Sequence, residues 1–308
     1  MGLGPAAIKL NLELWQRDLL KDVRSVCDMG SQEIMVGLSE FEGLVRSAGV
    51  SNWERFKENF VNLSFFPGQP RCSSSHFYRM LGVEEYACID LNEGHGAIPL
   101  DLNLPLEDTS LHNRFDMVTD FGMNEHAFNV AEAYRTMHRL CKPRGLMVNI
   151  QTVYCTNGYY TFDLAFYEGI SAANNYRILF SSYVIGLLES GGRDIAHQFH
   201  IPLNRDLLDT IDWSKVGWIG ICYVLQKLSD DDFQYPYDGD YTSIMSGGER
   251  HTLYQLQFLP DPPSRSCVPI VPEKLTEGLS TRVLFQHLMM RVFGKIKRKL
   301  LPDFLLSK

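Results

Sequence analysis

The sequence lacks the features that would assign it to several broad classes of protein. Its seven cysteines are scattered singly with no CxxC pair, which fits reduced thiols better than a disulfide framework. It has no run of about 18 apolar residues, as a transmembrane helix would need, and no signal-peptide pattern at its N-terminus. A formal net charge of -8 gives no general positive field for nucleic acid. We therefore expect a cytoplasmic protein whose main partner is not nucleic acid.

Several catalytic motifs are also missing. No P-loop and no Gly-x-Ser-x-Gly elbow is present, so kinase and hydrolase functions lack support. A nucleotide-dependent dehydrogenase would carry G-x-G-x-x-G after its first strand and an acid about 20 residues later, and neither is found. His197 and His200 are three apart in HQFH, but no carboxylate or cysteine pattern completes a metal site. No metal is predicted.

What the sequence does contain is an alternation of apolar runs and helical patterns. Near-continuous apolar runs are typical of strands covered on both faces, as in parallel sheets. The predicted strands span residues 25–30, 85–91, 115–122, 146–153, 176–186 and 218–228. The pattern predicts an α/β protein with a doubly wound, Rossmann-like, mostly parallel sheet.

Two crossover helices follow from the same pattern. Apolar residues recur every three or four positions within 128–141, and Lys142-Pro143-Arg144-Gly145 is a stop signal. Residues 158–174 predict a second, aromatic-rich helix.

The connection after the first strand is longer than a crossover requires. More than fifty residues separate Gly30 from Glu85, where about 10 to 20 suffice. Trp53, Phe56 and Phe60 stand at helical spacing, so residues 31–83 are predicted to form an inserted helical cap. A serine among residues 73–75 is the expected N-cap of a helix there.

The last part of the chain differs in character. We predict a core domain over residues 1–230 and a C-terminal helical extension over 231–308, with a proline-rich linker and a basic amphipathic helix. The tail from Arg282 to Lys308 carries seven Lys or Arg residues against one Asp. Such a face is usually a solvated helix surface, and contact with a membrane surface or an acidic partner is the alternative.

Polar residues follow the predicted strands where ligands bind in open parallel sheets. Gly30 ends the first strand, Asp90 ends the second, and Asp101 with Asn103 follows closely. A glycine turn lets backbone N–H groups approach a ligand, and a carboxylate accepts hydrogen bonds from ribose hydroxyls. The acid–amide pair could read the edge of an adenine. Each residue alone is commonly a turn or cap, so the prediction depends on their order.

Two segments resemble class I S-adenosylmethionine (SAM)-dependent methyltransferases. FDMVTDFGMNEHAFNVAEAYRTMHRLCKPRGLMVNI is similar to the family's fourth-strand to fifth-strand segment. EYACIDLNEGHGAIPLDLNLPLED resembles the second and third strands of a bacterial-type subgroup. The resemblance covers roughly residues 20 to 230. It implies a Rossmann-like fold, SAM as cofactor and a methyl transfer reaction.

The resemblance also implies site residues. The first SAM-binding loop corresponds to Asp28, Gly30, Ser31 and Gln32, and the ribose acid and its neighbour correspond to Asp90 and Leu91. The segment beside adenine corresponds to Asp101 and Leu102, and the methionine end corresponds to Phe121 and Gly122. The family's Asp-x-Gly-x-Gly-x-Gly pattern is incomplete, because Gln32 and Ile34 stand where it has glycine. Gln32 is expected either to hinder the cofactor or to offer amide hydrogen bonds to its carboxylate.

Candidate catalytic and acceptor-binding residues come from the same edge. His126 is the candidate base and Glu125 the second choice, with helix capping as the alternative role for His126. His95 in GHGAIP, together with Tyr159 and Tyr160, is expected near the acceptor, although packing or solvation is the ordinary role of such residues.

The leading hypothesis is methyl transfer from SAM to a small molecule, on an oxygen or nitrogen of a sugar or glycan-type intermediate. Aromatic residues over 154–167 and 233–241 would suit stacking on such an acceptor. The alternative is a binding or scaffold protein on a methyltransferase fold, for which the missing glycines are the best support. A SAM-using enzyme that transfers no methyl group is a third possibility.

Overall fold

The predicted apolar runs form the centre of one large sheet. The computed structural model describes residues 2–60, 71–155, 157–188, 195–204, 208 and 211–237. All six predicted strands are present. The described strands are β1 (Gly2–Leu3), β2 (Ser25–Met29), β3 (Glu33–Ile34), β4 (Glu85–Asp90), β5 (Ile98–Pro99), β6 (Phe115–Phe121), β7 (Cys141–Tyr154), β8 (Tyr176–Leu188), β9 (Ile195–Pro202) and β10 (Val216–Lys227).

Eight of these strands form the sheet in the order β5-β4-β2-β6-β7-β10-β8-β9. The five strands from β5 to β7 pair in parallel. β10 is antiparallel to both of its neighbours, and β9 is antiparallel to β8. The chain moves outward from β2 to β5 and then returns to β6 on the other side of β2. The order therefore reverses between β2 and β6, the point at which ligands bind in such sheets.

Helices cover both faces of the sheet, so the fold is the predicted doubly wound, Rossmann-like α/β fold. The described α-helices are α1 (Pro5–Gln16), α2 (Leu38–Ser47), α3 (Trp53–Phe56), α4 (Ser75–Met80), α5 (Val130–Leu140) and α6 (Leu164–Ala173). Alternate residues of each strand enter opposite cores. Val26 and Val148 join the core beneath α1 to α4, whereas Cys27 and Met147 join the core beneath α5 and α6.

The long connection after β2 is a helical insertion, as predicted. It contains β3 and the helices α2, α3 and α4. The buried indole of Trp53 packs against Phe41 and Phe60 with ring centroids 5.5 and 5.2 Å away. Burying each such side chain contributes about 1.5–3 kcal/mol, so the insertion has a small core of its own.

The segment before the first sheet strand was not predicted and has a definite structure. β1 pairs in parallel with β3, and α1 follows from Pro5, which suits the first position of a helix. The buried His200 of β9 contacts the carbonyl oxygen of Ala6 through Nε2 at 3.0 Å and Ser182 Oγ through Nδ1 at 2.7 Å. Burial lowers the pKa of His200 to about 4, so the neutral ring donates to Ala6 and accepts from Ser182. The N-terminal segment thus joins the insertion to the edge strand.

The helix predicted over 128–141 is α5, and it ends one residue before Cys141 as the Pro143 stop signal requires. The helix predicted over 158–174 begins later, at Leu164. None of the described helices is long and apolar enough to cross a membrane. The division at residue 230 stays a prediction, and the basic helix expected over 282–308 lies outside the described residues.

Candidate functional site

The first turn of the site is built around Gly30. This residue has a φ of +88°, a conformation that glycine adopts without strain. A Cβ atom there would lie 3.2 Å from Gln32 Nε2 and 3.3 Å from Met123 Sδ. The Gly30 N–H donates to the carbonyl oxygen of Ile89 at 2.7 Å, which ties the turn to the end of β4.

Asp28 lies beneath this turn and is fully buried. Its carboxylate accepts hydrogen bonds from Ser74 Oγ, Thr119 Oγ1 and, at 2.9 Å, from Tyr86 Oη. Burial raises the pKa of Asp28 to about 6, against the lowering effect of those hydroxyl donors. Ser74 stands at the N-cap of α4, as expected for the serine cluster, but its side chain makes no cap hydrogen bond. Asp28 therefore holds the insertion against the sheet.

Gln32 fills the turn from the inside. Its side chain is 1% exposed, and Nε2 donates to the carbonyl oxygen of Met29 at 2.7 Å. Its Oε1 atom is buried and has no hydrogen-bond partner within the part of the chain that the structure describes. The amide therefore presents an unpartnered acceptor, and the two expectations from the sequence, that Gln32 hinders the cofactor or donates to its carboxylate, stay predictions.

Asp90 meets the first turn from the neighbouring strand. Its Oδ2 accepts from the Ser31 N–H at 2.8 Å, and its Oδ1 accepts from the Asn92 N–H at a longer 3.3 Å. The carboxylate is partly exposed, and the adjacent Leu91 is 68% exposed. The predicted proximity of the glycine turn and this acid is thus present in the fold, and Asp90 keeps capacity to accept further hydrogen bonds.

The other acids and amides of this side are engaged within the protein. Asp101 Oδ1 accepts from both the backbone and the side-chain nitrogen of Asn103, at 2.9 and 2.8 Å. Asn103 Oδ1 accepts from the Asn129 N–H at 2.8 Å, at the start of α5, and Leu102 is buried in the core. A role for Asp101 and Leu102 beside adenine stays a prediction.

His95 links the loop after β4 to the insertion. Its Nε2 lies 3.0 Å from Glu33 Oε1, and its backbone has a φ of +57°. The side chain is thereby held at the edge of the site, and its contact with an acceptor stays a prediction.

The second turn of the site follows β6. Gly122 has a φ of +81°, and Glu125 lies three residues on with its side chain buried. Glu125 Oε2 accepts from the Thr152 N–H at 2.9 Å, and His126 Nε2 lies 3.7 Å from Glu125 Oε1. The two candidate catalytic residues are therefore adjacent. The alternative role of His126 as a helix cap is wrong, because α5 begins after Asn129.

The segment after β7 is fastened to the same glutamate. The N–H groups of Tyr159 and Tyr160 both donate to the carbonyl oxygen of Glu125, at 2.7 and 3.3 Å. A Cβ atom on Gly158 would lie 2.5 Å from that oxygen, so the approach requires glycine. Tyr159 is 68% exposed, and its ring packs edge-on against that of Phe128. Tyr160 Oη donates to the carbonyl oxygen of Phe128 at 2.7 Å. Both tyrosines therefore lie at the solvent-exposed edge of the candidate site.

A cavity of about 210 Å³ opens beside Gly122 and Glu125. The ends of β6 and β7 form its floor through Phe121, Ile150 and Thr152, and the start of α1 lines it with Ala6 and Ala7. Its remaining walls come from Gly2, Gly4, Met35, Val184, Gln198 and Trp218. Of the lining residues, sequence reasoning had pointed only to Phe121, Gly122 and Glu125, because the others come from separate elements that only the tertiary fold brings together.

A group of buried polar side chains lies next to this cavity, near the ends of β6 and β7. Asp120 Oδ1 accepts from the N–H groups of Met123 and Asn124, at 2.8 and 3.4 Å. Burial raises the pKa of Asp120 to about 7. Asn149 and Gln151 are also fully buried, and the amide atoms of Asn149 find no hydrogen-bond partner among the described residues.

The histidine pair for which no metal site was predicted, and some of the aromatic residues predicted to stack on an acceptor, lie away from the carboxyl edge. His197 and His200 lie in β9 an odd number of residues apart, so their side chains point to opposite faces. Phe162 and Tyr167 are buried in the core. Phe233 packs against His138 with ring centroids 5.7 Å apart, near the C-terminal end of α5. The stacking role predicted for aromatics over 154–167 and 233–241 is therefore wrong for these three residues.

Comparison with known proteins adds distant structural likenesses only. No family model and no curated protein matches the chain. One similar structure is the 1,6-didemethyltoxoflavin-N1-methyltransferase of Burkholderia thailandensis with bound 1,6-didemethyltoxoflavin and S-adenosylhomocysteine. It is 11% identical, with 73% of this chain and 80% of that chain covered and a TM-score of 0.39.

Two further structures show likeness of the same order. A SAM-dependent methyltransferase from Archaeoglobus fulgidus is 14% identical, with 71% of this chain and 94% of that chain covered and a TM-score of 0.32. The [4+2]-cyclase SpnF is 14% identical, with 74% and 83% covered and a TM-score of 0.34.

Proposed function

We propose that this protein binds SAM at the carboxyl edge of its sheet and transfers the methyl group to a small molecule. The observation that carries the proposal is the meeting of the left-handed Gly30 turn with the Asp90 carboxylate, joined by the Ser31 N–H at 2.8 Å. These are the two elements that the sequence resemblance assigns to the cofactor. The order of strands reverses beside them, at the position where this class of sheet binds ligands.

The residues present fit the chemical groups of SAM. Asp90 is partly exposed, and its carboxylate can accept further hydrogen bonds from ribose hydroxyls. The orphaned Oε1 of Gln32 is a buried acceptor, and an ammonium group, such as that of the methionine part, would satisfy it. A buried acceptor without a donor is costly, so this atom supports a ligand with N–H groups.

When bound, SAM supplies a sulfonium-linked methyl group for an acceptor oxygen or nitrogen, and the electron pair of the broken C–S bond stays on sulfur. The contribution of this chain is then to align the acceptor and to receive its proton. Glu125 is held by the Thr152 N–H at 2.9 Å, and His126 lies beside it. We assign the proton-accepting role to this pair, with Glu125 facing the cavity.

A second candidate function is that of a binding or scaffold protein without catalysis. Gln32 favours it, because its side chain occupies the interior of the first turn and bonds the carbonyl oxygen of Met29 at 2.7 Å. On this hypothesis the side chain replaces the contact that a glycine loop would make with the cofactor.

Titration calorimetry with SAM and S-adenosylhomocysteine separates the two functions. We expect binding of both, weakened by roughly tenfold or more in Asp90→Ala, since hydrogen bonds to a charged group contribute about 1.5–3 kcal/mol. Asp108→Ala is the matched control, because Asp108 accepts a backbone N–H from Ser110 in a similar turn at 2.9 Å but has no predicted contact with the cofactor. No heat of binding at millimolar cofactor would leave the scaffold function.

A further inference from the structure

The cavity beside Glu125 has walls that restrict what it can hold. Its volume of about 210 Å³ equals the liquid share of about seven water molecules, which suits a molecule of one or two rings. Phe121, Ile150 and Val184 present apolar side chains from three strands of the sheet. Hydroxyl groups pressed against such walls would lose hydrogen bonds to water without replacement. The lining therefore disfavours the sugar acceptor expected from the sequence.

One wall is an aromatic ring in a fixed orientation. Trp218 Nε1 donates to Thr152 Oγ1 at 2.9 Å. Its ring lies over Gly220, where a Cβ atom would come within 2.3 Å of the indole. Because both ends of the indole are constrained, the ring gives the cavity an aromatic wall of fixed orientation, on which another ring would pack offset-stacked or edge-to-face.

The one charged group among the described lining residues is a hydrogen-bond acceptor, the carboxylate of Glu125. Gln198 adds an amide, whose Oε1 accepts weakly from the Ala6 N–H at 3.4 Å and whose Nε2 is a donor. No lysine, arginine or histidine is among the lining residues within the described part of the chain. This set of groups suits a ligand that donates N–H or O–H bonds and disfavours phosphates and carboxylates.

We infer that this cavity takes the methyl acceptor, and that the acceptor is a small, flat aromatic or heteroaromatic molecule with an N–H or O–H group directed at Glu125. That the ligand accepts a methyl group rests on the proposed function, whereas the chemical class of the ligand follows from the lining alone. Glu125 then has two roles in the site, because it binds the N–H or O–H group of the ligand and lies where the proton of that group leaves.

The test uses three probes of known chemistry and saturation-transfer NMR on the full chain. Indole is flat and has one N–H donor, benzofuran has nearly the same shape without the donor, and glucose has many hydroxyls. We expect binding of indole, weaker binding of benzofuran by roughly tenfold, and no binding of glucose. Equal binding of indole and benzofuran, or binding of glucose alone, would overturn the inference.

One pair of variants and a third single variant place the probe in the cavity. Met35→Trp enlarges a side chain that is 40% exposed on the cavity wall, so it should fold normally and block indole. Leu38→Trp changes a residue that is 41% exposed and lies three positions away, outside the lining, so it should leave indole binding intact. Loss of binding in both variants, or in neither, contradicts this location. Glu125→Gln should reduce the preference for indole over benzofuran.

Calorimetry with S-adenosylhomocysteine keeps the two proposals distinguishable. We expect Met35→Trp to bind it as well as the unchanged protein does. If indole binds but the cofactor product does not, the class of ligand stands and the methyl transfer fails. If S-adenosylhomocysteine displaces indole, the cavity belongs to the cofactor and the inference is wrong.

Discussion

The carboxyl edge of the sheet has two halves that differ in how their polar groups are used. In the half formed by β2 and β4, most side chains bind other parts of the protein, and Asp28 alone accepts from three hydroxyl groups. In the half formed by β6 and β7, an open cavity lies against Glu125. The first half is built for holding a loop in one conformation, and the second has space for a molecule.

The difference bears on the division of roles. A rigid loop that keeps a few unused hydrogen-bond acceptors suits a ligand that is the same in many proteins, such as a cofactor. A cavity lined by side chains from elements distant in the sequence suits a ligand that is specific to one protein, such as a substrate. The predictions below test whether each half has the role that its hydrogen bonds indicate.

The largest effect is expected for Asp28→Ala. The hydroxyls of Ser74, Thr119 and Tyr86 would lose their common acceptor in a buried place, which should lower the free energy of unfolding by about 3 kcal/mol. Urea denaturation measures the loss. Thr119→Val is the control that removes one donor of the three and should cost about 1 kcal/mol. If Asp28→Ala folds with nearly full stability yet fails to bind cofactor, Asp28 belongs to the ligand rather than to the loop.

The second effect concerns Asp120 and the pH. Burial raises its pKa in the folded protein from the ordinary value of 3.8 to about 7. A raised folded pKa gives stability that is fully present below the unfolded pKa and is lost as the pH rises through the folded one. The free energy of unfolding should therefore fall between pH 5 and 8, relative to Asp120→Asn, by about 2 kcal/mol.

Comparison of the two proteins at each pH cancels the contribution of Asp28, whose pKa of about 6 acts in the same direction. Denaturation curves of both across this range measure the difference. Parallel pH profiles would mean that Asp120 stays ionised from pH 5 to 8, and that the second half is better hydrated than its burial indicates.

The sequence predicted the sheet well because strand runs and stop signals are local. The apolar run at 115–122 and the stop at Pro143 placed β6, α5 and β7. The same rules missed α1, where Ile8, Leu10, Leu12 and Leu14 alternate with polar or less apolar residues in a period of two. That spacing is typical of a strand, but α1 is buried on most sides, so its apolar residues need no single face.

The candidate site divides in the same way. The meeting of Gly30 and Asp90 was predictable, because carboxyl ends of parallel strands share one edge. The cavity was not, because only the complete tertiary fold brings Trp218 and Met35 around the same cavity as Glu125. The use of Ser74 to bind Asp28 rather than to cap α4 was equally hidden, since a serine before a helix has the same sequence pattern in both cases.

The smallest effect is expected for Gln32→Leu, and it decides between the two proposed functions. Leucine keeps the apolar bulk of the side chain but removes both the bond to the carbonyl oxygen of Met29 and the buried Oε1. If Oε1 accepts from the cofactor, affinity for S-adenosylhomocysteine should fall by about tenfold, or about 1.4 kcal/mol. Gln32→Gly is the paired variant, because it restores the glycine of the family's loop. If the side chain only obstructs the turn, Gln32→Gly should bind more tightly than the unchanged protein, and the first half would then be a closed cofactor site.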